Sequence, residues 1–106
     1  MLKFQGQKIS FDFDGVLTND RGRMLAKRFI SEGASVYIVT SRNESQGGKV
    51  RELADVLGIK SPRVIFTKDK PEAIKRLKIN VHYDNNLETI QKIRDETRAV
   101  AILFHS

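Results

Sequence analysis

Two aspartates lie close together near the start of the chain, after an apolar run and before a glycine. They are Asp12 and Asp14, and residues 9–18 read Ile-Ser-Phe-Asp-Phe-Asp-Gly-Val-Leu-Thr. Because side chains alternate along a strand, we expect both aspartates to point to one side. Adjacent carboxylates repel each other unless a cation or a shared proton compensates, so the pair is a candidate functional site. The alternative, that one aspartate only caps the following turn, fits a lone Asp-Gly better than this segment.

A second apolar run ends in hydroxyl groups and a cation. Residues 34–40 are followed by Ser41 and Arg42, and Thr40 is the last residue of the run. Hydroxyl and backbone N–H groups at such a terminus can bind phosphate oxygens, and Arg42 can add a contact. Ser41 with Glu44 also fits a helix capping box, and an exposed arginine needs no ligand. Both interpretations stay open from these residues alone.

Two lysines lie where the third helix is predicted to begin. A cation is unfavourable at a helix N-terminus, so Lys68 or Lys70 is expected to be held there by an anion. Either lysine alone is equally explained as a solvated surface residue. These residues therefore indicate an anion or carboxylate nearby without deciding which lysine contacts it.

The fourth apolar run ends in an acid and two amides, Asp84-Asn85-Asn86. Mg²⁺ prefers oxygen ligands from few carboxylates plus water, so Asp84 is a candidate to join Asp12 at such an ion. The Asn85 amide can ligate or orient a bound water but adds no charge. Asn86 is typical of a helix N-cap, and Asp84 alternatively serves only the turn at the strand end.

Composition excludes several kinds of chemistry. The 106 residues suffice for one domain, and the absence of cysteine excludes disulfides, thiolate metal sites and a cysteine nucleophile. The two histidines, His82 and His105, are expected to be incidental, with His82 alternating away from Asp84 along its strand. No stretch approaches the ~20 apolar residues of a membrane span, and the N-terminus lacks a signal-peptide core. We therefore expect a cytoplasmic protein without a membrane partner.

A net charge of +6 favours anionic partners such as phosphate esters, nucleotides or nucleic acid. The positive residues are spread along the chain instead of forming a block, so a basic solvated exterior explains the charge as well. A phosphorylated small molecule or a nucleotide is the expected substrate, and nucleic acid stays open as a partner.

Five apolar runs alternate with helical patterns. The predicted strands span residues 8–13, 34–40, 63–67, 79–84 and 98–104. The first predicted helix runs from Arg23 to Glu32, and the second contains Val50, Leu53, Ala54 and Leu57 and ends at Gly58. The third begins at Asp69, with Pro71 and Glu72 in its first turn, and the fourth begins at Asn86. The residues expected to point inward include Leu25, Phe29, Ile30, Ala73, Ile74, Leu77, Leu87, Ile90 and Ile93. This alternation predicts a parallel sheet covered by helices, with ligands at the carboxyl ends of its strands.

The four polar segments, in this order, resemble the motifs of the haloacid dehalogenase (HAD) superfamily, a large group of Mg-dependent phosphatases and phosphotransferases. The resemblance covers residues 9–104. It implies an α/β fold, a three-layer Rossmann-like sandwich with a five-stranded parallel sheet in the order 5-4-1-2-3. Residues 1–106 would form a single HAD-like core, and the connections are too short for a cap domain. An open site suits a large substrate or needs cover from a second copy of the chain, so a homo-oligomer stays open.

The resemblance also implies residue roles. Asp12 corresponds to the nucleophile and Asp14 to the general acid/base. The residues expected to bind the substrate phosphate are Thr40, Ser41, Arg42 and Lys70, where the Lys-Pro pair favours Lys70 over Lys68. The residues expected to hold Mg²⁺ are Asp12, Asp14 (through its backbone carbonyl), Asp84 and Asn85. The family usually presents two acids in the fourth motif, and Asn85 replaces one here, which predicts weaker metal binding or activity.

The implied function is a Mg-dependent phosphomonoester hydrolase that acts through an aspartyl-phosphate, on a nucleotide, a nucleic-acid end or a sugar phosphate. The alternative is a module of the same fold that binds phosphate or nucleic acid with weak or no catalysis, which Asn85 and the positive charge favour. A phospho-receiver domain has the same layers, but its acceptor aspartate would end the third strand. That strand has no acid before Asp69, which argues against a receiver.

Overall fold

The computed structural model describes residues 2–105 of the chain. In this range five parallel strands form one sheet: β1 (Lys8–Phe11), β2 (Ser35–Thr40), β3 (Val64–Phe66), β4 (Val81–Asp84) and β5 (Val100–Leu103). The α-helices between them are α1 (Asp20–Ser31), α2 (Gly48–Leu57), α3 (Lys70–Leu77) and α4 (Leu87–Glu96). The strand order β3-β2-β1-β4-β5 is the predicted order read from the opposite edge.

Helices cover both faces of the sheet and complete three layers. On one face, Phe11 of β1 shares a buried core with Ala26 of α1 and Val50 of α2. On the other face, Ile74 of α3 and Ile90 of α4 pack in a second core. The predicted Rossmann-like α/β sandwich is therefore confirmed, and it places β1 at the centre of the sheet.

Three residues that were predicted to begin or end a helix do so in the structure. Gly58 ends α2 in the left-handed conformation, with a φ of 78°, which glycine adopts without strain. Asp69 and Asn86 cap the N-termini of α3 and α4, where their side chains accept hydrogen bonds from the backbone N–H groups of Glu72 (3.2 Å) and Thr89 (3.0 Å). These caps start both helices just after β3 and β4, at the carboxyl edge of the sheet.

Some element boundaries and one core residue differ from expectation. β1 ends at Phe11 because the backbone turns after it, so Asp12 follows the strand. α1 begins at Asp20, earlier than Arg23, because its first turn is polar and lacks the apolar period used to find it. Leu87 is 53% exposed instead of buried, since it is the first residue of α4 and precedes the turn that packs on the sheet.

The capping interpretation of Ser41 is wrong. The chain after β2 forms a short 3₁₀ turn at Glu44–Gln46, and α2 begins only at Gly48. Glu44 instead pairs with Arg51 of α2 at 2.7 Å. Because no α-helix begins at Ser41, its hydroxyl has no helix N-terminus to cap.

No additional domain interrupts the sheet within residues 2–105. A tight turn at Phe13–Leu17 joins β1 to α1, and the chain between β2 and α3 forms only α2, β3 and two 3₁₀ turns. The predicted capless arrangement is therefore confirmed for this range. In the same range, every helix is too short or too polar to cross a membrane.

Candidate active site

The turn after β1 places Asp12 and Asp14 at the carboxyl end of the central strand. The Asp12 N–H donates to a β4 carbonyl at 2.9 Å, which fixes its backbone beside that strand. Gly15 follows with a φ of 79°, and a Cβ there would overlap the Asn85 side-chain amide. The Thr18 hydroxyl accepts the Gly15 N–H at 2.9 Å and closes the turn. The segment therefore presents both carboxylates at one edge of the sheet, but from a turn and not by the expected alternation along a strand, because β1 ends at Phe11.

Lys70 joins two buried carboxylates at this edge. Its ammonium lies 3.1 Å from Asp12 Oδ1 and 2.8 Å from Asp84 Oδ2. Asp12 and Lys70 are each 7% exposed, and Asp84 is completely buried. Lys68 is exposed, and its ammonium donates to the Ser41 carbonyl instead. Of the two candidate lysines, Lys70 is the one that contacts the acids.

Burial and local charges separate the pKa values of the two acids. Burial raises the pKa of Asp12 to about 6, with Lys70 opposing and the Asp84 charge adding to the rise. Burial by itself would also raise the pKa of Asp84, but hydrogen bonds from His82 and Lys70 lower it to about 2. Asp84 is therefore ionised at neutral pH, whereas the charge on Asp12 is only marginally favoured and an added cation would stabilise it.

Asp14 is paired with Arg42 at the rim of the site. The guanidinium makes two parallel hydrogen bonds to the carboxylate, Nε to Oδ2 at 2.9 Å and Nη2 to Oδ1 at 2.8 Å. The same group lies over the Phe13 ring, 4.9 Å from its centroid. The hydrogen bonds from Arg42 lower the pKa of Asp14. The expected acid/base and an expected phosphate ligand are thus in contact with each other.

His82 belongs to this site, so the expectation that it alternates away from Asp84 is wrong. Residues two apart on a strand share a face. His82 Nε2 lies 2.9 Å from Asp84 Oδ2, and His82 Nδ1 lies 2.6 Å from Ser10 Oγ. A signal for both residues was present in the sequence, because each is a polar residue in an apolar strand, two positions before Asp12 or Asp84.

A cavity of about 360 Å³ opens above these groups. Among the residues of its wall are Asp12, Asp14, Asp84, Lys70, Ser41 and Asn85. Thr40 does not line the cavity, since it is completely buried and its hydroxyl accepts the Arg42 N–H at 3.2 Å. Arg42 also lies outside the wall and approaches the cavity through its contact with Asp14. Six of the eight expected site residues therefore line the cavity, whereas Thr40 is buried behind it and Arg42 contacts it only through Asp14.

The oxygen atoms left free in this cavity fit a hard divalent cation. Asp12 Oδ1 forms an ion pair with Lys70 and accepts a hydrogen bond from a backbone N–H, and no donor within residues 2–105 reaches Asp12 Oδ2. In the same range Asp84 Oδ1 accepts only one hydrogen bond, from a backbone N–H at 3.0 Å. The described part of the chain gathers no group of three or more acidic or histidine side chains around a metal position. Because Mg²⁺ commonly uses one or two carboxylates together with water and phosphate oxygens, this donor set still fits it.

A larger cavity of about 650 Å³ lies at the opposite edge of the sheet, between α3 and α4. Its charged wall residues, Lys75, Lys78, Asp95, Glu96 and Arg98, are all exposed. Exposed charges remain hydrated and need no functional explanation, whereas charges such as those around Lys70 are buried only at a cost in free energy. We therefore place the candidate active site in the smaller cavity.

Comparison with known proteins does not indicate a function for this site. The chain matches no protein-family model, no curated protein and no solved structure. What the site can do is therefore inferred from the contacts of the described residues and from the four segments that resemble the HAD motifs.

Proposed function

We propose that this protein is a Mg²⁺-dependent phosphomonoester hydrolase that forms an aspartyl-phosphate on Asp12. The observation that carries the proposal is the contact of one buried lysine, Lys70, with two buried carboxylates, Asp12 and Asp84, in the wall of a cavity. Burying three charges is costly, and apolar side chains would serve stability as well or better. The cluster at the carboxyl edge of a parallel sheet therefore supports a site that handles charge.

The first step transfers the phosphoryl group to the protein. A carboxylate oxygen of Asp12 attacks phosphorus, the bond to the ester oxygen breaks, and Asp14 donates a proton to that oxygen. The Lys70 ammonium beside Asp12 stabilises the negative charge of the phosphoryl oxygens. Asp14 can carry the proton only after Arg42 leaves it, and a substrate phosphate offers Arg42 an alternative acceptor pair.

The second step returns the protein to its starting state. Asp14 accepts a proton from a water molecule, the water oxygen attacks phosphorus, and the bond to Asp12 breaks to release inorganic phosphate. Asp12, the Asp14 backbone carbonyl, Asp84 and Asn85 are the groups that would hold Mg²⁺. When bound, the ion would neutralise charge on the transferring group.

The charge and the open position of the cavity favour an anionic substrate that is larger than a minimal phosphate ester. Lys68 and Lys92 are exposed in its wall, and the whole chain carries a net charge of +6. No inserted domain covers the cavity within the range that the structure describes. These features suit a nucleotide, a nucleic-acid end or a sugar phosphate.

A binding module of the same fold is the second candidate, and two observations favour it. Asn85 supplies an amide where the HAD motif usually has an acid, and Arg42 occupies both oxygens of Asp14. Such a protein would bind phosphate at Lys70 and Arg42 without turnover. Magnesium-dependent hydrolysis separates the two candidates.

The test is hydrolysis of p-nitrophenyl phosphate with and without Mg²⁺. Wild type is compared with Asp12→Asn, and Asp55→Asn is the matched control because Asp55 is an exposed residue of α2. We expect Mg²⁺-dependent release from wild type and the control, and a loss of ~100-fold or more in Asp12→Asn. Turnover by folded Asp12→Asn at more than a few per cent of wild type would exclude Asp12 as the nucleophile. Binding of inorganic phosphate by wild type without any hydrolysis would favour the binding module.

A further inference from the structure

A buried polar pair lies behind the candidate active site. Ser10 and His82 are register partners on the neighbouring strands β1 and β4, and both are completely buried. They alternate with Phe11 and Tyr83, which stack on the opposite face of the sheet at 5.0 Å between ring centroids. Burying two polar side chains costs free energy that apolar residues would avoid, unless every group is hydrogen-bonded. The hydrogen bonds of Ser10 and His82 therefore indicate the role of this polar pair.

The ionised Asp84 carboxylate determines the direction of the hydrogen bonds that link Asp84, His82 and Ser10. An ionised carboxylate only accepts hydrogen bonds, so His82 Nε2 carries a proton and donates it to Asp84. In a neutral imidazole the other nitrogen is an acceptor, so the Ser10 hydroxyl donates to Nδ1. A neutral ring fits this position, because His82 is completely buried and the Lys70 ammonium already compensates Asp84 at 2.8 Å. The hydrogen bonds thus run from the Ser10 hydroxyl through the imidazole to the Asp84 carboxylate.

This arrangement makes the two oxygens of Asp84 unequal. Oδ2 accepts hydrogen bonds from His82 at 2.9 Å and from Lys70 at 2.8 Å, which occupy both of its lone pairs. Among the described residues Oδ1 accepts a single hydrogen bond, from the Asn86 N–H at 3.0 Å, which leaves one lone pair. Rotation of the carboxylate would exchange the two oxygens, and the rigid imidazole ring opposes that rotation.

We propose that His82, held by Ser10, is a positioning residue that keeps Asp84 oriented with Oδ1 available to a divalent cation in the cavity. The inference rests on the proposed function, because it requires Mg²⁺ at this cavity. It adds two residues to which the sequence assigned no role. Removing a group that orients a metal ligand typically weakens metal affinity or activity by ~10- to 100-fold.

The first test measures Mg²⁺ binding by isothermal titration calorimetry. His82→Phe fills the space of the ring without a donor, and His82→Gln retains a side-chain N–H. His105→Gln is the matched control, because His105 is the other histidine of the chain and is exposed. We expect His82→Phe to bind Mg²⁺ ~10- to 100-fold more weakly, His82→Gln to recover part of the loss, and His105→Gln to match wild type.

The outcomes distinguish this inference from the proposed function. Equal Mg²⁺ affinity in wild type and folded His82→Phe overturns the positioning role, while hydrolysis by wild type would leave the proposed function intact. Absence of Mg²⁺ binding in wild type would overturn both. A merely structural role would lower the melting temperature of His82→Phe without changing the Mg²⁺ affinity of its folded form.

A second test applies even where His82→Phe does not fold. In the His105→Gln background one histidine remains, and ¹⁵N NMR reports which of its nitrogens carries the proton. We expect the Nε2–H form, with Nδ1 as acceptor, in the metal-free protein. The Nδ1–H form would overturn the inference, because the Nε2 lone pair would then face the Asp84 carboxylate. Ser10→Ala should weaken Mg²⁺ binding in the same direction, and an unchanged affinity would exclude Ser10 from the role.

Discussion

Replacing Asp12 by asparagine should stabilise the metal-free protein at neutral pH although it removes the proposed nucleophile. Asp12 is 7% exposed, and its pKa rises from 3.8 to about 6 on folding. Because the folded value is the higher one, the folded state binds the proton more tightly and an ionised Asp12 opposes folding. At about 1.4 kcal/mol for each pH unit between 3.8 and about 6, this cost reaches about 3 kcal/mol at neutral pH.

The assay is unfolding of wild type, Asp12→Asn and the control Asp55→Asn without metal, at about pH 7.5 and about pH 4. Asparagine keeps an acceptor oxygen for Lys70 but has no charge. We expect Asp12→Asn to be more stable than wild type by up to about 3 kcal/mol at the higher pH, or roughly 13 °C in melting temperature. The difference should fall below about 1 kcal/mol at the lower pH, where folded Asp12 is protonated.

Two results would refute this reasoning. Wild type at least as stable as Asp12→Asn at neutral pH would show that Lys70 fully compensates the buried charge. A difference of the same size at both pH values would show that it does not arise from ionisation of Asp12. Mg²⁺ should also raise the melting temperature of wild type more than that of Asp12→Asn, because a ligand of the folded state stabilises it.

Three further substitutions test other contacts of the site. Lys70→Met removes the cation between Asp12 and Asp84 and should destabilise the fold by about 3 kcal/mol or more, as measured by urea unfolding. A variant as stable as wild type would contradict the buried pairing. Arg42→Gln should raise the pKa of Asp14 towards its ordinary value, since the hydrogen bonds from Arg42 lower it, and ¹³C NMR of the carboxyl follows the change; an unmoved pKa would show that the pair does not form in solution. Asn85→Asp should tighten Mg²⁺ binding by roughly tenfold through an added ligand charge, as measured by calorimetry, and weaker binding would place Asn85 away from the ion.

Most of the fold could be predicted from local patterns. Each strand is an apolar run between turn residues, and caps such as Asp69 and Asn86 mark where helices begin, so element types followed from neighbouring residues. The boundaries at Asp20 and Phe11 could not be predicted as closely, because a polar first helical turn and a strand end carry no apolar period. The sheet order followed from the resemblance, and the structure confirms it.

The sequence by itself determined that a carboxylate pair follows a buried strand, that a turn containing Gly15 presents it, and that Lys70 begins a capped helix. These features depend on residues within a few positions of one another. Only the tertiary structure decided that Lys70 contacts both Asp12 and Asp84 and that Arg42 pairs with Asp14.

The polar network behind the site was also decided by tertiary structure. Ser10 and His82 are 72 positions apart in the chain, and their hydrogen bond exists only because β1 and β4 are neighbours in a register that sets these two residues side by side. A local pattern shows which face of a strand a side chain occupies, but not which strand lies next to it. For that reason the candidate carboxylates and lysines could be found from the sequence, whereas the contacts that set their charge and orientation could not.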